Sequence, residues 1–278
     1  MTITRFAPSP TGSLHLGHAL AAWVAYDSAK TRDGIMLLRF EDIDVTRVRE
    51  EYYAAIEEDL HWLGIAWTGV PWRQLDRGAA YQSALEQLCA LDVVYPCFCT
   101  RKEIAAMSRA PQEGDDADAV VYPGICRLLS TAEKDARMRR GDRWAWRLDA
   151  AKAAQHCGPM RWHDARRGEQ PLDPHALGDV VIARKDIGVS YHLAVVVDDA
   201  AQQVDLVTRG EDLFSSTHVH VMLQYLLGLP QPRYAHHPLV CDEQGRRLAK
   251  RHDSLSLRSM REAGVSAEEV LRRIRAYL

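Results

Sequence analysis

PSPTGSLHLGH, residues 8–18, stands between a strand-like run, TRFAPS at 4–9, and a helical one, HLGHALAAWVAYDSAKTR at 15–32. In the second run Leu16, Leu20, Trp23, Val24 and Ala25 recur at helical spacing. Pro8 and Pro10 stiffen the turn, Gly12 permits backbone angles that other residues resist, and Gly17 removes a side chain where a flat ring can approach. His15 and His18, three apart, share one face of the helix start. In an open parallel sheet, ligands bind beyond the carboxyl ends of the strands, where a helix N-terminus supplies positive potential. Two imidazoles set there are placed to hydrogen-bond phosphate oxygens. The spacing is common enough that a polar surface or a simple helix cap is the competing explanation. The chain has neither a GxGxxG nor a GxxxxGK stretch, so the usual phosphate cradles are missing and the alternative cradle gains weight.

Outward from this turn, strand-like and helical runs alternate. GIMLLRFEDID (34–44) reads as a strand ending in carboxylates, REEYYAAIEEDLHWLGI (49–65) and RGAAYQSALEQLCALDVVY (77–95) as helices. GDVVIARKD (178–186), YHLAVVVDDA (191–200) and QVDLVTRGED (203–212) read as strands or strand ends. The alternation predicts an α/β fold built on a Rossmann-like, largely parallel sheet. From about 96 to 168 the rhythm breaks and the composition shifts, taking in Cys97, Cys99, the acidic stretch QEGDDADA (112–119) and Cys126. The expected organisation is a catalytic unit of 1–95 and 169–240, an insertion at 96–168, and a signature loop with a C-terminal helix at 241–278. That helix is signalled by Ser266 and Glu269 at capping-box spacing, ahead of Val270, Leu271, Ile274 and Leu278 on one face.

The 278 residues are 47% hydrophobic and 26% charged, enough to bury a substantial core. No apolar run is long enough to span a bilayer, and MTITRF lacks the layout of a signal peptide, so a cytoplasmic protein with no membrane partner is expected. A net charge of −3 excludes a surface that is basic throughout, and any nucleic-acid contact must come from local patches such as RRGDRWAWR (139–147), GRRLAKR (245–251) and LRRIR (271–275). Six cysteines without an export signal fit free thiols or a metal site better than disulfides. Cys89 reads as a helix core residue and Cys241 as a loop thiol. A second candidate site is GRRLAKRHDSLSL (245–257), where Lys250 amid Arg246, Arg247 and Arg251 gives a loop able to close on a triphosphate. A solvated basic turn is the plainer account of that loop alone.

Taken together, PSPTGSLHLGH and RLAKR resemble the two signature motifs of class I aminoacyl-tRNA synthetases. RFAPSPTG, LRFEDID, YHLAVVVDD and VTRGEDL are similar, in order and spacing, to the glutamyl branch of that class, and the likeness runs from about residue 3 to 260. The chain ends soon after the second motif, where glutamyl-tRNA synthetases continue into an anticodon-binding part. With the insertion's cysteines, this makes it similar to the glutamyl-Q tRNA(Asp) synthetases, the truncated paralogues. The resemblance implies a ligase that activates L-glutamate with ATP without tRNA and transfers it to queuosine in the anticodon of tRNA(Asp). It implies His15, Gly17, His18 and Lys250 at ATP, with His15, His18 and Lys250 catalytic. Arg5, Phe6, Ala7, Pro8, Ser9, Glu41, Tyr191 and Arg209 become the glutamate contacts. The residue types agree: glutamate carries two carboxylates and one ammonium, so arginines and one carboxylate are required, with Glu41 the natural partner of the ammonium. Which arginine meets which carboxylate is left open.

Cys97, Cys99 and Cys126 within one excursion bind zinc tetrahedrally if a fourth donor joins them, although CxC is a weaker signal than CxxC. The resemblance supplies Tyr122 as that donor, and His156, Cys157 or a water remain alternatives. The expected cofactors are one structural Zn2+ and Mg2+ with ATP. The expected partners are ATP, L-glutamate and the tRNA(Asp) anticodon stem-loop carrying queuosine, with Arg246 to Arg251 and Arg272 to Arg275 as backbone contacts and the protein a monomer. A truncated glutamyl-tRNA synthetase charging the 3′ end and a non-catalytic tRNA-binding module are the rival functions. The second signature departs from the family pattern, with Arg247 where its first lysine is usual and Arg251 where its final serine is usual, and the loop from Ser108 to Ala119 has no assigned counterpart.

Overall fold

A computed structural model describes residues 1–100, 102–104, 122–184, 188–241 and 256–278. The apolar runs Ile3–Phe6 (β1) and Ile35–Phe40 (β2) pair in parallel, Arg5 opposite Leu37 and Phe6 opposite Leu38. Leu16–Lys30 (α1) crosses over between them. Glu51–Trp62 (α2) then leads to Trp72–Arg73 (β3), which adds in parallel beside β2. Gly78–Ala90 (α3) closes this first half.

Val94–Cys97 (β4), the helix Thr131–Arg139 (α4), Ala145–Leu148 (β5) and the helix Ala150–Cys157 (α5) follow. Next come Arg161–Asp164 (β6), Gly168–Pro171 (β7), Val181–Arg184 (β8) and Gly188–Val189 (β9). β4, β5, β8 and β9 form one antiparallel sheet, while β6 and β7 join a second sheet with the strands Leu206–Gly210 (β10) and Arg233–His237 (β11). Within that second sheet β10 and β11 run parallel, and β6 bridges to β11 through Asp164 and Tyr234. The helix Tyr191–Ala201 (α6) precedes β10 and the helix Phe214–Leu226 (α7) follows it. Leu257–Glu262 (α8) and Ala267–Arg275 (α9) end the chain.

The parallel sheet is therefore split between β1 and β10. At their starts the two strands touch, the Asp205 amide donating to Ile3 O at 3.1 Å and the Ile3 amide to Asp205 Oδ1 at 2.6 Å. Further along, the Arg5 side chain fills the gap and donates from Nη1 to Thr208 O at 3.1 Å. Unsatisfied strand carbonyls inside a protein are costly, so this guanidinium both closes the split and brings charge to it.

YHLAVVVDDA is a helix, not a strand. Its consecutive valines favour a strand in isolation, but Leu193 to Val196 are buried and Asp198 and Asp199 are sequestered by arginines, and tertiary contacts override the local preference. In α1 the fully buried face is mainly alanine, Ala19, Ala22, Ala25 and Ala29 with Leu20, while Leu16, Trp23 and Val24 pack at its edge. Gly12 does not have a positive φ, and a Cβ there would meet nothing within 4 Å, so open space rather than unusual backbone geometry marks that position. Two helices rather than one end the chain. Val270 and Ile274 of α9 enter the core shared with α1, whereas Leu278 is exposed. Only half of the capping box forms: Ser266 Oγ accepts from the Glu269 amide at 3.2 Å, but the Glu269 carboxylate is taken by Arg272 and Arg273. Cys89 is exposed, a correction to its expected place in a helix core.

Candidate active site

The turn after β1 is tied to the turn after β2: the Glu41 amide donates to Pro8 O at 3.0 Å and the Arg49 amide to Pro10 O at 3.1 Å. Both loops leave the carboxyl ends of their strands, as the sheet geometry requires of a ligand site. His15 is the N-cap of α1, its Nδ1 accepting from the Gly17 amide at 3.1 Å. His18 Nδ1 accepts from the His15 amide at 3.2 Å, and the two rings lie 3.9 Å apart. Because a backbone N–H can only donate, each neutral ring carries its proton on Nε2, a donor suited to a phosphate oxygen. A Cβ at Gly17 would come to 3.0 Å from the His15 ring, so the glycine gives that imidazole room. The Ser256 end of the second signature bridges to His15, and the Leu257 amide donates to Leu14 O at 2.8 Å. The residues that follow the second motif thus meet the first at the start of α1. Lys250, Arg246, Arg247 and Arg251 lie outside the described residues, as do Ser108 to Ala119.

At the sheet split sits a buried charge cluster. Arg5 Nε pairs with Asp199 Oδ1 at 3.0 Å, and Arg39 Nη2 pairs with the same oxygen at 2.7 Å. Arg39 also donates to Gln202 Oε1 at 2.7 Å. Burial pushes the Asp199 carboxyl up, but Arg5 and Arg39 outweigh it and hold it below its ordinary value. Asp198 receives Tyr81 Oη at 2.7 Å, Gln74 Nε2 at 3.0 Å and Arg77 Nε at 3.2 Å. Glu41 has no ion-pair partner among the described residues. Burial pushes its carboxyl up to about 7, opposed by Arg39 and Arg5. Tyr191, the first residue of α6, lies in the fields of Arg209, Glu41 and Arg5. Arg209, on β10 and buried, donates from Nη2 to Thr217 Oγ1 at 2.6 Å. Phe6 and Pro8 are buried, Ala7 is half-buried and Ser9 is exposed.

The structure thus places Arg5, Glu41, Tyr191 and Arg209 around one split. Arg39, Asp198 and Asp199 are not among the residues the sequence singles out. Their available signal is a charged residue inside an apolar strand run and a doubled carboxylate closing another. Arg272 and Arg273 are engaged by Glu269, and Arg275 stacks on Trp23 at 4.1 Å.

In the second cluster, Cys97 ends β4, Cys99 follows, and Cys126 comes from a 3-10 turn at Ile125–Leu128. The three sulfurs lie within 4.8 Å of one another. A tetrahedral zinc with bonds of about 2.3 Å spaces its sulfurs about 3.8 Å apart, so small shifts suffice. Tyr122 Oη is 3.6 Å from Cys99 Sγ, and the Phe98 amide donates to Cys126 Sγ at 3.4 Å, a bond that favours thiolate. The donor set fits a structural zinc ion. Of the alternative fourth donors, Cys157 is buried in a different core with Leu88, Leu148 and Leu193, and His156 is exposed.

Residues 1–277 match the family model described as tRNA synthetases class I (E and Q), catalytic domain. The chain is 48% identical to a glutamyl-Q tRNA(Asp) synthetase of Rhodobacter capsulatus over 98% of its own length and 99% of that protein's. It is 42% identical to the Nitratidesulfovibrio vulgaris protein of the same name, over 96% of this chain and 83% of the other. Among solved structures it is similar to a glutamate tRNA ligase of Elizabethkingia meningosepticum in complex with its amino acid, with a TM-score of 0.74 and 29% identity, covering 90% of this chain and 52% of that one. The chain belongs to the class I aminoacyl-tRNA synthetase family and, within it, to the glutamyl-Q tRNA(Asp) synthetases. It is accordingly a ligase of the aminoacyl-tRNA synthetase type. Among the described residues no helix is long and apolar enough to cross a membrane.

Proposed function

We propose that the protein activates L-glutamate with ATP, without tRNA, and transfers the glutamyl group to queuosine in the anticodon of tRNA(Asp). The observation that carries this is near-end-to-end similarity to the Rhodobacter capsulatus protein of that name, joined to a sheet split that gathers Arg5, Arg209 and Glu41, a carboxylate with no ion-pair partner among the described residues. ATP enters as its magnesium complex. A carboxylate oxygen of glutamate attacks the α-phosphorus in line, the bond to the β-phosphate breaks, and pyrophosphate leaves glutamyl-adenylate behind. His15, His18 and Lys250 stabilise the charge that builds on the phosphates, a task of positioning and electrostatics. Glu41 binds the ammonium, and Arg5 and Arg209 bind carboxylate; Phe6 to Ser9 and Tyr191 shape the pocket. A hydroxyl of queuosine then attacks the activated carbonyl, the bond to AMP breaks, and the hydroxyl proton is released.

In this reading residues 1–95 and 169–240 form the catalytic unit, 96–168 the insertion and 241–278 the signature loop with its helices. Cys97, Cys99, Tyr122 and Cys126 hold a zinc ion whose contribution is to cross-link β4 to the turn at 125–128. The enzyme works in the cytoplasm as a monomer. Labelled glutamate should appear on the anticodon loop of tRNA(Asp), persist when the 3′ ribose is oxidised, and be absent with tRNA lacking queuosine. Label released with the 3′ terminal adenosine would instead identify a synthetase charging the tRNA end.

A further inference from the structure

Two arginines face the split in the sheet, and they are held in opposite ways. Arg5 shares Asp199 with Arg39, so its charge is matched by a carboxylate at 3.0 Å. Arg209 spends all three guanidinium nitrogens on uncharged partners. Nε donates to His236 Nε2 at 3.2 Å, Nη1 to His220 Nδ1 at 2.9 Å, and Nη2 to Thr217 Oγ1 at 2.6 Å. Among the described residues no carboxylate pairs with it.

An arginine has no acceptor, so these bonds dictate the state of both rings. His236 accepts at Nε2, leaving its proton on Nδ1, which donates to Asp164 Oδ2 at 2.7 Å. His220 accepts at Nδ1, leaving its proton on Nε2, which donates to His192 Nδ1 at 3.1 Å. A second proton on either ring would set N–H against N–H. Burial, then Arg209, pushes both histidines down, His236 to about 4. Asp164 is hydrogen-bonded to this assembly but stands one imidazole away from Arg209. Its bond to the His236 ring, together with the amides of Arg166 and Arg167, each at 2.9 Å, outweighs burial and holds its carboxyl below the ordinary value. Trp162, Phe214 and Tyr234 pack around the His236 ring.

We propose that His220 and His236 are positioning residues: neutral ring nitrogens that orient Arg209 and leave its positive charge for the carboxylate of the amino-acid substrate. The inference rests on the reading of Arg209 as a glutamate contact. It goes beyond that reading by assigning the charge balance behind the arginine to residues that do not touch the ligand.

The test compares His220→Asn with His220→Asp in glutamate-dependent ATP–pyrophosphate exchange. Both variants place an oxygen acceptor near the Nδ1 position, and only the second brings a charge. The asparagine variant should keep the KM for glutamate within about threefold, and the aspartate variant should raise it about tenfold or more, the scale of one charge-assisted hydrogen bond. The KM for ATP should be the same in both. A shared glutamate KM would overturn the inference. If the aspartate variant does not fold, His236→Gln against His236→Glu asks the same of Nε: the glutamine variant should stay within about threefold and the glutamate variant should lose about tenfold. Equal values there would also defeat it. Wild-type protein that fails to bind glutamate by calorimetry would overturn the underlying pocket assignment, and the inference with it, and is told apart by needing no variant.

Discussion

Glu41 stands half-buried at the end of β2 with a carboxyl pushed up to about 7 by burial, against an ordinary value of 4.5. Its proton is held more tightly in the folded chain than in the unfolded one. A raised acid of this kind adds stability that is complete below the unfolded value and is lost as pH rises through the folded value, so between about 4.5 and 7 its ionisation weakens the fold. Glu41→Gln should therefore melt higher than the wild type at pH 8, by about 2–4 °C for each kcal/mol recovered, and should melt at the wild-type temperature at pH 4. A gain of the same size at both pH values would show that burial of this charge is not the cause. Function runs the other way. In the proposed function ionised Glu41 is the partner of the ammonium, so the KM for glutamate should climb as pH drops below about 7, and the glutamine variant should be inactive across the range. The residue is thus held where it costs stability, as buried catalytic and binding carboxylates commonly are.

At the scale of elements, two small units hold the site in place. The core formed by α1 and α9 includes Leu20, Val270 and Ile274, all fully buried. Ile274→Ala removes part of that packing and should cost about 2–5 kcal/mol in denaturant titrations. Since α1 begins at His15, the loss should come with weaker ATP use. Full stability in that variant would mean that α9 is an ornament rather than a support. The thiol cluster is the second unit. Its core is small, made of Tyr95, Cys97, Phe98, Tyr122 and Cys126, and helix α4 beside it buries no residue. A metal cross-link is the expected remedy for so little apolar packing. Elemental analysis should give about one zinc per chain, and Cys99→Ala should lose it, melt lower and keep a recognisable ATP site. Metal-free protein with an unchanged melting curve would leave three ordinary thiols.

Over the whole molecule, the prediction is that activation of glutamate needs no RNA. ATP–pyrophosphate exchange should proceed with glutamate alone, and Lys250→Ala should lower it by about a hundredfold or more, the scale of removing one preorganised donor from a charged transition state. Exchange that waits for tRNA would favour the ordinary glutamyl synthetase. The candidate site itself is assembled from distant parts. Arg5 comes from the first strand, Glu41 from the second, Tyr191 from α6 and Arg209 from β10, and His15 is bridged by Ser256 near the other end of the chain. No single stretch carries the site, so unfolding of either half of the sheet should abolish glutamate binding together with ATP use.

By itself the sequence determined the turn at 8–18, the strands around Arg5, Glu41 and Arg209, the helix after His15 and the grouping of Cys97, Cys99 and Cys126. Each of these is local: proline and glycine mark turns, apolar runs mark strands, and short-range spacing places cysteines together. The sequence also reads YHLAVVVDDA as a strand, because valines favour one, and it passes over Arg39, Asp198 and Asp199. Those were decided by tertiary structure alone. Arg39 is fully buried, and its guanidinium is met by a carboxylate from another element: Asp199, carried by α6, reaches it at 2.7 Å across 160 residues. The same holds for the rings behind Arg209: whether a histidine is a neutral acceptor depends on burial and on which donor faces it, and neither is written in its neighbours along the chain.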